Sequence, residues 1–192
     1  MLFRSDHISK GTAGLINTVL WSQALSNADD SSLTFAQLPF DHPLWVLYSS
    51  GTTGLPKPIV HGHGSIVLEH CKALVFHNDI KPDDRFYWYS STGWMMWNYL
   101  VGALFARATL VIYDGSPAYP SMNVQFELAE KAGVTYFGTS AAFIDACRKA
   151  GTHPNQDYEL SAIRAVGSSG SPLSTDGFQW VYENKIGRAS CR

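Results

Sequence analysis

Ten consecutive residues, Tyr48-Ser49-Ser50-Gly51-Thr52-Thr53-Gly54-Leu55-Pro56-Lys57, bring together the groups that can hold a polyphosphate. Glycine accepts positive φ and lets the backbone approach closely, so successive N–H groups can turn toward one anion. The hydroxyls of Ser49, Ser50, Thr52 and Thr53 add donors. Lys57 adds a full positive charge on a flexible stem, held at a set distance by the φ-restricted Pro56. The common P-loop is excluded, because it needs four residues between its glycines and a Ser or Thr after its lysine. Here two residues separate Gly51 from Gly54, and Pro58 follows Lys57. The bland alternative is a solvated Ser/Thr/Gly surface loop. The apolar strand before the run and the closing Pro-Lys favour the phosphate reading.

The elements that must position this loop follow from periodicity. The apolar run at 44–48 reads as a buried strand ending in the loop, and 65–77 has helical spacing closed by Pro82. Downstream, strands are expected at 85–89, 109–113, 134–137 and 163–166. Helices are expected at 96–106, at 124–132 with Gly133 as C-terminal cap, and at 141–150. A last helix should start near Ser174, a good N-cap residue. Short strands alternating with helices imply an α/β fold with a largely parallel sheet. Residues 1–43 are hard to place, beyond a short helix over 14–25 and a polar loop at 26–32.

The chain has 192 residues, 45% hydrophobic and 16% charged, with a formal net charge of -2. That suits one globular core and argues against disorder. Lys and Arg form no basic run, so neither nucleic acid nor an anionic membrane surface is expected as a partner. No apolar run approaches the length of a membrane span. Cys71, Cys147 and Cys191 have no metal-ligand spacing and cannot all pair together, which favours a reducing compartment; a cytoplasmic or organelle-matrix setting is the default expectation. His61, His63, His70 and Cys71 are not expected to converge on a metal. Gly167-Ser168-Ser169-Gly170 lacks the spacing of a hydrolase elbow.

The Tyr48–Lys57 run resembles the signature loop of the adenylate-forming superfamily, which includes acyl-CoA synthetases, luciferases and peptide-synthetase adenylation domains. Phe40-Asp41-His42-Pro43-Leu44-Trp45 and His61-Gly62-His63-Gly64, on either side, are similar to its acetoacetyl-CoA synthetase branch. So are Gly93-Trp94-Met95-Met96-Trp97-Asn98, Tyr113-Asp114-Gly115-Ser116-Pro117 and Phe137-Gly138-Thr139-Ser140. The likeness covers about residues 35–182.

The resemblance implies that Ser49, Ser50, Gly51, Thr52, Thr53, Gly54 and Lys57 bind the phosphates of ATP. It implies that Ser169, Gly170, Ser171 and Pro172 pack against adenine, and that Trp94, Met95, Met96 and Trp97 line the acyl site. Aromatic and thioether side chains beside a glycine can shape a small apolar slot, which agrees. Ordinary core packing on a buried helix is the alternative, for Trp97 above all. The implied substrates are acetoacetate, magnesium-ATP and CoA. A sibling acetyl- or propionyl-CoA synthetase is the nearest other reading.

The superfamily's magnesium-binding glutamate, ribose-binding aspartate, hinge and mobile C-terminal domain with its lysine have no counterpart here. No catalytic residue and no metal ligand are therefore assigned. The chain is expected to be a partial N-terminal (AMP-binding) domain over residues 35–186, preceded by a poorly assigned stretch, 1–34. It is expected to be inactive alone, or to act only as a nucleotide-binding fragment. Residues 1–5 and 187–192 look foreign to the pattern and are set apart from the fold.

Overall fold

Strands buried on both faces send alternate side chains into two different cores. In the computed structural model, which describes residues 21–26, 32–49, 54–184 and 186–191, β3 (Arg85–Trp88) does this. Phe86 and Trp88 enter one buried cluster, and Tyr87 enters the other. The alternation repeats in β5 (Tyr136–Ser140), where Tyr136 joins the first side and Phe137 the second. With β4 (Thr109–Val111), β6 (Ala165–Ser169) and β7 (Arg188–Cys191) they form a sheet in the order β4-β3-β5-β6-β7. Every neighbouring pair is parallel, as the alternation of strands and helices implies.

The chain divides into two units, Met1–Leu38 and Pro39–Arg192. In the first, the helix expected over 14–25 falls mostly outside the described residues; its described part is α1 (Trp21–Ser26). All other described elements belong to the second unit. One face of its sheet carries α2 (His63–His70), a π-helix (Cys71–His77) and α3 (Met95–Gly102), which continues as a 3₁₀ turn at Ala103–Ala106. Leu74, Met96, Leu100 and Ala103 pack there on Phe86, Trp88 and Tyr136. The other face carries α4 (Val124–Ala132), α5 (Ala141–Lys149) and α7 (Thr175–Glu183). Phe126, Ile144, Cys147 and Trp180 make the larger cluster with Phe137 and Val166. A short α6 (Pro154–Asp157) lies between α5 and β6.

The caps follow local chemistry. Gly133 ends α4 at φ 60, a conformation glycine adopts without a Cβ clash. The Ser174 hydroxyl caps α7 by accepting from the Gly177 N–H at 3.0 Å. Among the described residues, no helix is long and apolar enough to cross a membrane.

Two expectations need correction. The run at 44–48 is a strand, β1 (Pro43–Ser49), but it is not a buried one. It pairs antiparallel with β2 (Lys57–Gly62) in a separate two-stranded ribbon. Val46 and Tyr48 are exposed, whereas Trp45 and Leu47 are partly covered. An apolar strand is buried on both faces only where both faces meet another layer. The tail at 187–192 is expected to stand apart from the fold, yet Arg188–Cys191 pair in register with 165–168. Joining a parallel edge needs backbone N–H and C=O groups and an extended chain, which side-chain pattern alone does not reveal.

Candidate functional site

The order β4-β3-β5-β6-β7 makes the chain turn one way after β3 and the other way after β5. In such sheets, ligands bind in the crevice beyond the carboxyl ends of the strands, where the direction switches. Two of the three segments expected at the site leave this end of the sheet. Residues 89–94 lead from β3 into α3, and Ser169 is the last residue of β6.

The third segment is the β1–β2 turn. Ser50, Gly51, Thr52 and Thr53 lie outside the described residues. Ser49 ends β1 directly opposite Lys57 at the start of β2, so the ribbon sets the lysine across the loop from the strand end. Lys57 is exposed, and among the described residues no carboxylate comes within ion-pair distance of it. A Cβ on Gly54 would meet open space, so the approach on that side is clear.

Met95, Met96 and Ser169 line one cavity of about 330 Å³. Its wall is completed largely by aromatic and aliphatic groups, Trp88, Tyr136 and Ala73 among them, with Asn78 and Tyr99. Room for it comes from glycine. A Cβ on Gly138 would stand 2.2 Å from the Trp88 ring, and one on Gly167 would stand 2.6 Å from it. Trp88 therefore lies across two strands that could not otherwise accept it. Met96 is buried in the smaller cluster, while Met95 is exposed at its rim.

The other expected residues sit elsewhere. Trp94 is the exposed residue preceding α3, and Trp97 packs against the smaller cluster; neither lines this cavity. Gly170 turns the chain at φ 92, and Ser171 and Pro172 are exposed. Leu173, buried in the larger cluster, anchors that turn from its far side.

Between the ribbon and the helices lies a second cavity of about 450 Å³, whose wall shares Glu69, Ala73, Met95 and Tyr99 with the first. Trp45 and His61 line it, and the Trp45 Nε1–H donates to His61 Nδ1 at 3.0 Å. That bond leaves neutral His61 with its proton on Nε2. His70, also on this wall, is buried beside Gly102, and burial holds its imidazole below the ordinary range.

Sequence reasoning missed Glu69, Asn78 and Tyr99. Glu69 is four residues before Ala73 on one helical face, a spacing that could have been read. Asn78 and Tyr99 meet across 21 residues and left no local signal.

Residues 7–188 match the family model described as AMP-binding enzyme. The chain is 49% identical over 151 residues to an acetoacetyl-coenzyme A synthetase of Rhizobium meliloti (strain 1021), covering 79% of this chain and 23% of that protein. It is 41% identical over 152 residues to an acetoacetyl-CoA synthetase of Gallus gallus, with the same 79% and 23% coverage. A solved acetoacetyl-CoA synthetase from Streptomyces lividans superposes with a TM-score of 0.82 at 52% identity. That match covers 88% of this chain and 27% of that one. The chain thus spans about a quarter of the length of the curated relatives it matches.

Proposed function

The chain belongs to the AMP-binding enzyme family, and from that membership we propose that it forms the phosphate loop and acyl slot of a longer acid–CoA ligase acting on acetoacetate. One observation carries the reading. Met95 and Met96, expected at the acyl site, and Ser169, expected at the adenine wall, meet on a single cavity. An enzyme that joins an acid to the α-phosphate of ATP needs those two groups side by side.

The reaction then runs in two steps. The acid's carboxylate oxygen attacks the α-phosphorus of ATP, the bond to the bridging oxygen breaks, and pyrophosphate leaves. The product is an acyl-adenylate. The CoA thiol loses its proton and attacks the acyl carbon, and AMP departs with the oxygen that came from the acid.

Ser49, Ser50, Thr52, Thr53, Lys57 and the backbone amides at Gly51 and Gly54 offset the charge that gathers on the departing pyrophosphate. Little covalent work falls to the protein in such a displacement; holding the groups in line is most of it. Gly170, Ser171 and Pro172 continue the wall from Ser169 along the adenine. Magnesium would arrive with the nucleotide. No step here depends on a protein ligand to it.

The identity of the relatives supports acetoacetate as the acid. The test is to supply the complete ligase with ATP, magnesium, CoA and single acids, and to follow AMP and thioester. Acetoacetate should give both, ahead of acetate and propionate. Formation of ADP in place of AMP, or a clear preference for acetate, would overturn the proposal.

A further inference from the structure

The inner end of the slot is more polar than a mostly apolar pocket requires. Asn78 is buried, and its side-chain amide donates to the Tyr99 hydroxyl, with both residues on the cavity wall. The pair is held firmly. The Asn78 N–H donates to the Ala73 carbonyl at 3.1 Å across the wide π-helical turn, and Arg164 Nη1 donates to the Asn78 carbonyl at 3.2 Å. The Tyr99 ring stands edge-on to Trp88 at 5.6 Å and to Phe86 at 6.1 Å.

These contacts also set its depth. Trp88 is level with Gly167, and Ser169 lies two residues nearer the mouth. At a rise of about 3.3 Å per residue, the Tyr99 ring stands about 7 Å or more below Ser169. Three carbon–carbon bonds of a four-carbon acid span about 3.8 Å, the reach of one extended backbone unit. A short acid bound near Ser169 stops above the pair, and a longer tail runs into it.

We infer that the Asn78–Tyr99 pair is a specificity-determining floor that turns away acids with longer alkyl tails. An alkyl end pressed onto the floor covers an amide and a hydroxyl and offers neither a hydrogen bond. A short acid stops before it covers them. The inference rests on the ligase reading and adds the reason for a short substrate.

The test uses the complete ligase with Asn78→Leu and Tyr99→Phe combined. Replacing both partners by apolar groups avoids leaving one of them unpaired. The ratio of kcat/KM for hexanoate to that for acetoacetate should rise about tenfold or more, mainly through a lower KM for hexanoate. A ratio within about threefold of wild type would overturn the inference. Asn78→Val combined with Tyr99→Phe, a smaller change at the turn that keeps the ring contacts, serves if the first double variant does not fold; an unchanged ratio there overturns it equally. Wild-type protein that activates no acid would overturn the ligase reading instead, and an unchanged ratio in an active enzyme leaves that reading standing.

Discussion

Arg164 grips Asp84 with two parallel hydrogen bonds, Nε to Oδ1 at 3.0 Å and Nη2 to Oδ2 at 2.6 Å. Asp84 precedes β3 and Arg164 precedes β6, so the pair ties two strands together across β5. It sits at the end of the sheet opposite the mouth of the slot, and it also steadies the turn that carries Asn78. Burial would raise the Asp84 carboxyl, but hydrogen bonds from Arg164, the Thr135 hydroxyl and the Lys81 N–H outweigh it and hold the group below its usual range.

Asp84→Asn should therefore lower stability by about 2–3 kcal/mol at neutral pH, below the roughly 3–5 kcal/mol for breaking a fully buried pair because Arg164 keeps some solvent contact. The sign with pH follows from the depressed carboxyl. Its contribution is complete above the ordinary aspartate value of about 4 and is lost as pH falls through the lower folded value. Urea unfolding at pH 7 and at steps down to pH 3 checks both points. A variant as stable as wild type at pH 7 would remove the pair from the account.

Lys57→Ala should weaken adenylation far more than folding, because Lys57 is exposed and unpaired among the described carboxylates. A lost transition-state donor of this kind costs about 10²–10³ in rate. Pyrophosphate–ATP exchange and thermal melting, measured on one preparation, separate the two effects. Exchange within threefold of wild type would exclude the role.

Met95→Gly and Met96→Gly should both move preference toward longer acids, since both side chains line the slot. Each methylene admitted to an apolar pocket is worth about 1–3 kcal/mol, so ranking of acetoacetate, butyrate and hexanoate should shift about tenfold. Only Met96, buried in the cluster, should also cost stability, about 2–4 kcal/mol. Unchanged rankings in both variants would return these residues to plain packing.

Burial pushes the Cys147 thiol up to about 11 from an ordinary 9.0. Thiolate is the reacting form, so alkylation of Cys147 at pH 8 should be about a hundredfold slower in folded than in unfolded protein. Peptide mapping after a timed pulse of iodoacetamide reads this directly. Equal rates would mean that the larger cluster opens readily.

Much of the fold was legible because period-two and helical patterns leave local marks. Gly133 and Ser174 announced the helix ends they cap, and the strand around Phe137 declared itself by apolar content. The π-helix at Cys71–His77 was not legible, since its apolar spacing also fits an α-helix. Nor was the exposure of β1, which depends on what lies against the ribbon rather than on its own residues. At the site, the segments around Met95 and Ser169 could be named from sequence, but their meeting on one cavity could not. That meeting depends on Trp88 lying over Gly138 and Gly167, three residues on three strands.

The central claim is that the acid is activated through its own oxygen at the α-phosphate of ATP. Acetoacetate labelled with ¹⁸O in its carboxylate, turned over by the complete ligase with ATP and CoA, tests this most directly. The account predicts one labelled oxygen in the phosphate of AMP, with pyrophosphate unlabelled. Label in inorganic phosphate, or AMP without it, would contradict an acyl-adenylate and with it the role given to the Tyr48–Lys57 loop.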